Sequence, residues 1–173
     1  MNGKIFTPRF VVVISTIFIA AFWRLIPHMP NFTPVAAIAL FAGAYVQRKS
    51  LAFLIPMLAL LISDVFLGFH DTMWAVYLSF AITVSLGMVI RNRKSIVNIA
   101  LVAVSSSVLF FIITNFAAWL SGMMLYPMNF QGLMLCYEAA IPFFRNEIAG
   151  TLLYSTVLFG SFYFVEKRLP ARA

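Results

Sequence analysis

The chain has 173 residues, of which 63% are hydrophobic and 10% charged, with a formal net charge of +7. Soluble globular proteins carry roughly half apolar and a quarter charged residues, so the composition excludes a water-soluble fold and implies an all-α integral membrane protein. The basic residues stand in small groups between apolar runs, as topology determinants do, and no nucleic-acid partner is expected. The length admits roughly six spans of about 20 residues in one compact domain, and the single cysteine, Cys136, excludes an internal disulfide.

The first predicted span is residues 10–26. The opening MNGKIFTPRF resembles the basic head of a signal peptide, but no small-residue cleavage site follows, and the segment is expected to stay in the chain. Pro27 and Pro30 then force an extended link. Thr33 and Pro34 read as a helix start, a hydroxyl N-cap with proline at the first helical position. The second helix, 34–46, has thirteen residues, about 20 Å, short of a hydrocarbon core of roughly 30 Å. Its start must therefore lie below the membrane surface, enclosed by protein. Ala39 and Gly43 give it a small-residue face that lets helix backbones approach closely.

The third span, 51–68, is interrupted by Ser63 and Asp64, and the loop GFHDT leads to a fourth, 74–90, which ends in RNRK. The fifth runs over 96–120, with Ser105, Ser106 and Ser107 near its middle and Thr114 and Asn115 near its end. Asn115–Gly150 is rich in Tyr, Pro, Met and Gly and reads as too irregular to cross a bilayer, so it is expected to be a large loop. The sixth span is expected over 146–165.

Six spans place Lys4, Arg9, Arg48, Lys49, Arg91, Arg93, Lys94, Lys167, Arg168 and Arg172 on one side, leaving Arg24 and Arg145 on the other. The positive-inside rule then puts both termini in the cytoplasm. With that orientation the intramembrane polar residues collect at the opposite end, as if around a cup. Candidate substrate-binding residues are Arg24, Asn31, Asp64, His70, Trp74, Asn115, Trp119, Tyr126, Tyr137, Glu138, Arg145, Asn146 and Glu147. Each has a plainer reading. The tryptophans suit an interfacial belt as well as a pocket. Asp64 is either a proton or cation site or a charge partner of Arg24 or Arg145. Glu147 is either beside an anion site or a first-turn acid.

There is no GxxxxGK[ST], HExxH or HxxxH pattern, so no cofactor, no metal and no enzymatic activity is expected. Cys136 and His70 are the residues a metal would use if one bound. An intramembrane enzyme working through Asp64, Glu147 or the histidines is the third reading, behind transport and a non-transporting assembly or structural role.

The segments NFTPVAAIALFAGAY, LISDVFLGFHD, FFIITNFAAWLSGMMLYP and GLMLCYEAAIPFFRNEIAGTLLYSTVLFG resemble an uncharacterised bacterial family of transport-type membrane proteins, over roughly residues 27–165. The chain is also similar to the substrate-binding S components of energy-coupling factor (ECF) vitamin transporters. That resemblance implies an S-component-like bundle in the bacterial inner membrane that captures a small organic solute such as a vitamin. It implies lipid contacts and docking on an ECF-type coupling membrane protein with ATPases. Ala39 and Gly43 would form the docking face, with glycine in place of the second alanine of the AxxxA pattern. Some solitary proteins of this kind are proposed to move cobalamin without a coupling module, which gives Cys136 or His70 a conceivable role as cobalt ligand.

Overall fold

The computed structural model describes residues 8–122 and 125–168, so Lys4 and Arg172 lie outside the described residues. Six helices follow one another: α1 (Pro8–Trp23), α2 (Val35–Tyr45), α3 (Lys49–Leu67), α4 (Met73–Val89), α5 (Ile96–Leu120) and α6 (Phe130–Glu166). No strand occurs among the described residues. Three of the helices, α3, α5 and α6, are long and apolar enough to cross a membrane, which suggests a membrane protein.

The helices form a ring around α2. Around the ring α1 touches α3, α3 touches α4, α4 touches α5, α5 touches α6, and α6 returns to α1; α2 touches all five. Every residue of α2 is buried. A helix apolar all round is a core helix, and VAAIALFAGAY offers no polar face to turn outward. At eleven residues it is about 16 Å long, while α5, at 25 residues, is about 37 Å. The centre of the bundle is therefore shorter than its wall.

The small residues of α2 set its closest contact. A Cβ added at Gly43 would lie 2.1 Å from Val84 O and 3.0 Å from Gly87 Cα, and one at Gly87 would lie 2.3 Å from Leu40 O. Backbone meets backbone, so only glycine fits at this crossing. This corrects the expectation that Ala39 and Gly43 face a partner. Both are buried, and the small-residue face is taken by α4 within the same chain.

Two further expectations are corrected. The start of α2 is not capped by Thr33: Pro34 holds the cap position, and no side chain bonds the first N–H groups. The Asn115–Gly150 stretch is not one large loop. α5 runs on to Leu120, and α6 begins at Phe130 rather than 146, with Asn129 Oδ1 accepting from Gly132 N at 2.9 Å as its N-cap. The resulting α5–α6 hairpin is fixed by stacking of Phe111 on Phe144 (4.5 Å) and by Tyr137 OH donating to Ile112 O (2.7 Å). Those tertiary contacts keep the helix continuous through Pro142, which lacks an N–H for the i−4 bond.

Parallel to α2 runs the last half of α6. Gly150 meets Phe32 and Thr33 just before α2, whereas Phe159 and Phe162 pack on Phe41 and Tyr45 near its end. Residues 130–149 of α6 thus extend past the start of α2.

Candidate functional site

Polar side chains gather in three places at the end of the bundle where α2 begins. In the first, α1, α3 and α4 converge. Arg24, just past α1, pairs closely with Asp64 of α3 and donates to Ser63 Oγ at 2.7 Å. Tyr77 of α4 donates to the second Asp64 oxygen at 2.9 Å. Asp64 is 5% exposed, so a lone carboxylate there would be costly; with the guanidinium and phenol both oxygens are satisfied. Of the two bases weighed as its partner, Arg24 is the one that reaches it, and Arg145 sits exposed on α6.

The second place lies between α6 and the 24–34 segment. Asn146 Nδ2 donates to Pro30 O at 3.0 Å, and Phe32 packs on Tyr154 with ring centroids 5.7 Å apart. Glu147 is on the opposite side of α6 from Arg145 and is 5% exposed. It takes a hydrogen bond from Thr151 Oγ1 at 3.2 Å, and no ion pair among the described residues involves it.

The third place is the hairpin tip. Trp119 Nε1 donates to Pro127 O at 3.0 Å, Asn115 Nδ2 to Phe111 O at 2.8 Å, and the Cys136 thiol contacts Asn115 O at 3.6 Å. These groups tie the hairpin to itself, and the half-buried Tyr126 follows in the same connection. Trp74, Glu138 and Asn31 are exposed, Asn31 with φ of 60°. His70 is also exposed and hydrogen-bonds Thr72 Oγ1 at 3.0 Å. Hydrogen bonding thus divides Arg24 with Asp64, Asn146 with Glu147, and Asn115, Trp119 and Tyr137 among three clusters, and leaves Asn31, His70, Trp74, Glu138 and Arg145 exposed outside them. No three His, Cys, Asp or Glu come together as a metal site among the described residues. Between α1 and α3 lies an apolar notch of about 10 Å³, lined in part by Phe18, Phe22 and Ala59. It has room for a water-sized sphere and not for an organic solute.

Two important groups escape the sequence reading. Tyr77 looks like one more aromatic in an apolar run, although its place near the start of α4 puts it level with Asp64. Arg91 reads as a topology charge, yet it closes the far end of α2: Nε and Nη2 donate to Gly43 O at 3.2 and 2.9 Å, Nη2 to Val46 O at 2.7 Å and Nη1 to Gln47 O at 3.1 Å. A cation on the last carbonyls of a helix satisfies them and suits the dipole.

A ring of helices around a short buried helix, with three helices long and apolar enough to cross a membrane, suggests a helical membrane protein. The chain belongs to a family of unknown function, DUF6580, whose model matches residues 4–172. No curated protein and no solved structure matches it.

Proposed function

We propose that this is a six-span protein of the bacterial inner membrane, with both termini in the cytoplasm, that takes up a small organic solute such as a vitamin. The observation that carries the reading is the short central helix. At about 16 Å, α2 reaches halfway through a hydrocarbon core, and its uncapped start is met by the irregular segment 24–34. Non-helical backbone at membrane depth is tolerated where it is enclosed by protein or lines a cavity, and interrupted helices mark substrate sites in transporters. The solute would sit against the first N–H groups of α2, between the 24–34 segment and the α5–α6 hairpin.

Burial of Ala39 and Gly43 removes the face through which an ECF-type coupling protein would dock. We therefore favour a solitary carrier over a subunit of that assembly. The test is native mass spectrometry of the purified protein, followed by thermal shift against a vitamin panel. A co-purified small molecule that raises the melting temperature is the expected result; an empty protein, indifferent to the whole panel, would reject it.

One observation favours a non-transporting assembly role instead. The Arg24–Asp64–Tyr77 cluster has its carboxylate fully bonded within the chain, as in a network that only joins helices. On that reading Asp64→Asn lowers stability and leaves uptake in vesicles unchanged.

A further inference from the structure

Opposite the three polar clusters, the end of the bundle where α2 finishes carries basic residues of two kinds. One kind is spent on helix carbonyls. Arg91 donates to Gly43 O, Val46 O and Gln47 O at the end of α2. Lys94 donates to Arg91 O just past α4 and lies 5.1 Å from the centre of the Tyr45 ring. These two cations cover the negative ends of α2 and α4. Arg48, Lys49 and Arg93 are the other kind. They are exposed, and among the described residues their side chains make no hydrogen bond or ion pair.

The bond from Arg91 to Gln47 O, at 3.1 Å, holds the two basic connections together. Arg48 follows Gln47 directly, and Arg93 stands two residues past Arg91, in a turn closed by Arg93 N on Ile90 O at 2.9 Å. Their positions run against the electrostatics of the helices. Arg48 is the N-cap of α3 and Lys49 its first residue, and Arg93 comes shortly before Ser95, the N-cap of α5. A helix start is the positive end of its dipole and favours acids, yet neither helix has one in its first turn. Of the five acids in the chain, Glu166 alone lies at this end, next to Lys167 and Arg168 on α6. Three uncompensated cations beside two positive helix ends repel one another, and an anion relieves that repulsion.

Apolar surface begins directly beside these charges. Ile96, Val97 and Leu101 on the first turns of α5 are 87%, 66% and 61% exposed, and Val89 in the last turn of α4 is 77% exposed. An anion that covers both surfaces has a charged head and hydrocarbon chains, whereas a soluble anion would use only the first. We infer that Arg48, Lys49 and Arg93 form a docking surface for anionic phospholipid headgroups, with the acyl chains lying along the exposed start of α5. Basic groups at a membrane surface attract anionic lipid in this way. The inference needs the bundle to sit in a membrane and is independent of what it carries.

Thermal melting of the purified full-length protein in neutral detergent tests this, with phosphatidylglycerol, phosphatidylcholine or glycerol 3-phosphate added. Phosphatidylglycerol should raise the melting temperature saturably, with an effect that fades as KCl increases, and the other two should not. Arg48→Gln with Arg93→Gln should shift the phosphatidylglycerol midpoint about 30-fold higher, the loss expected from two surface cations. Lys167→Gln with Arg168→Gln carries the same net charge and should leave the midpoint unchanged. Equal shifts in the two double variants would reduce the effect to overall charge and overturn the site. Equal stabilisation by both lipids, or by glycerol 3-phosphate, would overturn it as well. If the first double variant does not fold, native mass spectrometry of the wild type from an equimolar mixture of the two lipids decides the point. Selective retention of phosphatidylglycerol supports the site, and equal retention rejects it. Either result leaves the uptake reading to its own test, which uses a different set of ligands.

Discussion

The two ends of α2 are built in opposite ways. At its last turn Arg91 donates to Gly43 O, Val46 O and Gln47 O, and the Gly43–Gly87 crossing locks the helix on α4. At its first turn no side chain caps the N–H groups, and Gly150 of α6 packs on Phe32 and Thr33 just before it. One end has carbonyls satisfied by a guanidinium, while the other has no side-chain cap. Satisfied groups anchor a structural element, and unspent hydrogen-bonding capacity in an apolar bundle is where a ligand gains most.

Four substitutions test that contrast. Gly43→Leu should have the largest effect, because its side chain enters the α4 backbone at Val84 and helices cannot yield as a rotamer can. The cost should exceed the usual overpacking penalty of about 1–3 kcal/mol and leave little monodisperse protein on size exclusion in detergent. A wild-type elution profile would contradict the close crossing. Next, Asp64→Ala strands the Arg24 guanidinium. Because Arg24 is partly exposed, the loss should fall near the lower end of the range for broken buried pairs, about 3 kcal/mol, in denaturant unfolding. Replacing both partners with apolar residues should recover much of it.

Arg91→Ala removes the closure of α2 and should destabilise by about 2 kcal/mol, read by the same unfolding curve. Glu147→Gln keeps the shape and the Thr151 bond, so stability should move by less than about 1 kcal/mol. If instead it unfolds the protein as Asp64→Ala does, the open end of α2 is structural and the contrast fails. His70→Ala, at an exposed loop position, serves as the baseline and should stay within about 0.5 kcal/mol.

Much of the fold is local and therefore readable. Composition and apolar run length specify helices, and Pro27 and Pro30 end the first. The brevity of α2 shows in the thirteen residues between Thr33 and Gln47. The last helix is readable over 146–165 and not over its first part, from Phe130. FQGLMLCYEAAIPFF contains Gly132, Pro142 and Glu138, which single-chain propensity takes as breaks, and only packing on α5 through Tyr137, Phe111 and Phe144 makes it continuous. Of the candidate site, Arg24, Asp64 and Glu147 stood out because charges in apolar segments are conspicuous. Their divergent fates, one pair satisfied and one acid left alone, did not.

The sequence by itself determined the class of protein, the positions of its helices apart from the start of α6, and the grouping of its basic residues, because each follows from composition over a short window. Which helix becomes the core, which face Gly43 serves and what Arg91 and Arg24 bond were decided by tertiary structure. Those are pairings across 48 and 40 residues. They depend on which helices the ring makes neighbours, and no local pattern encodes that.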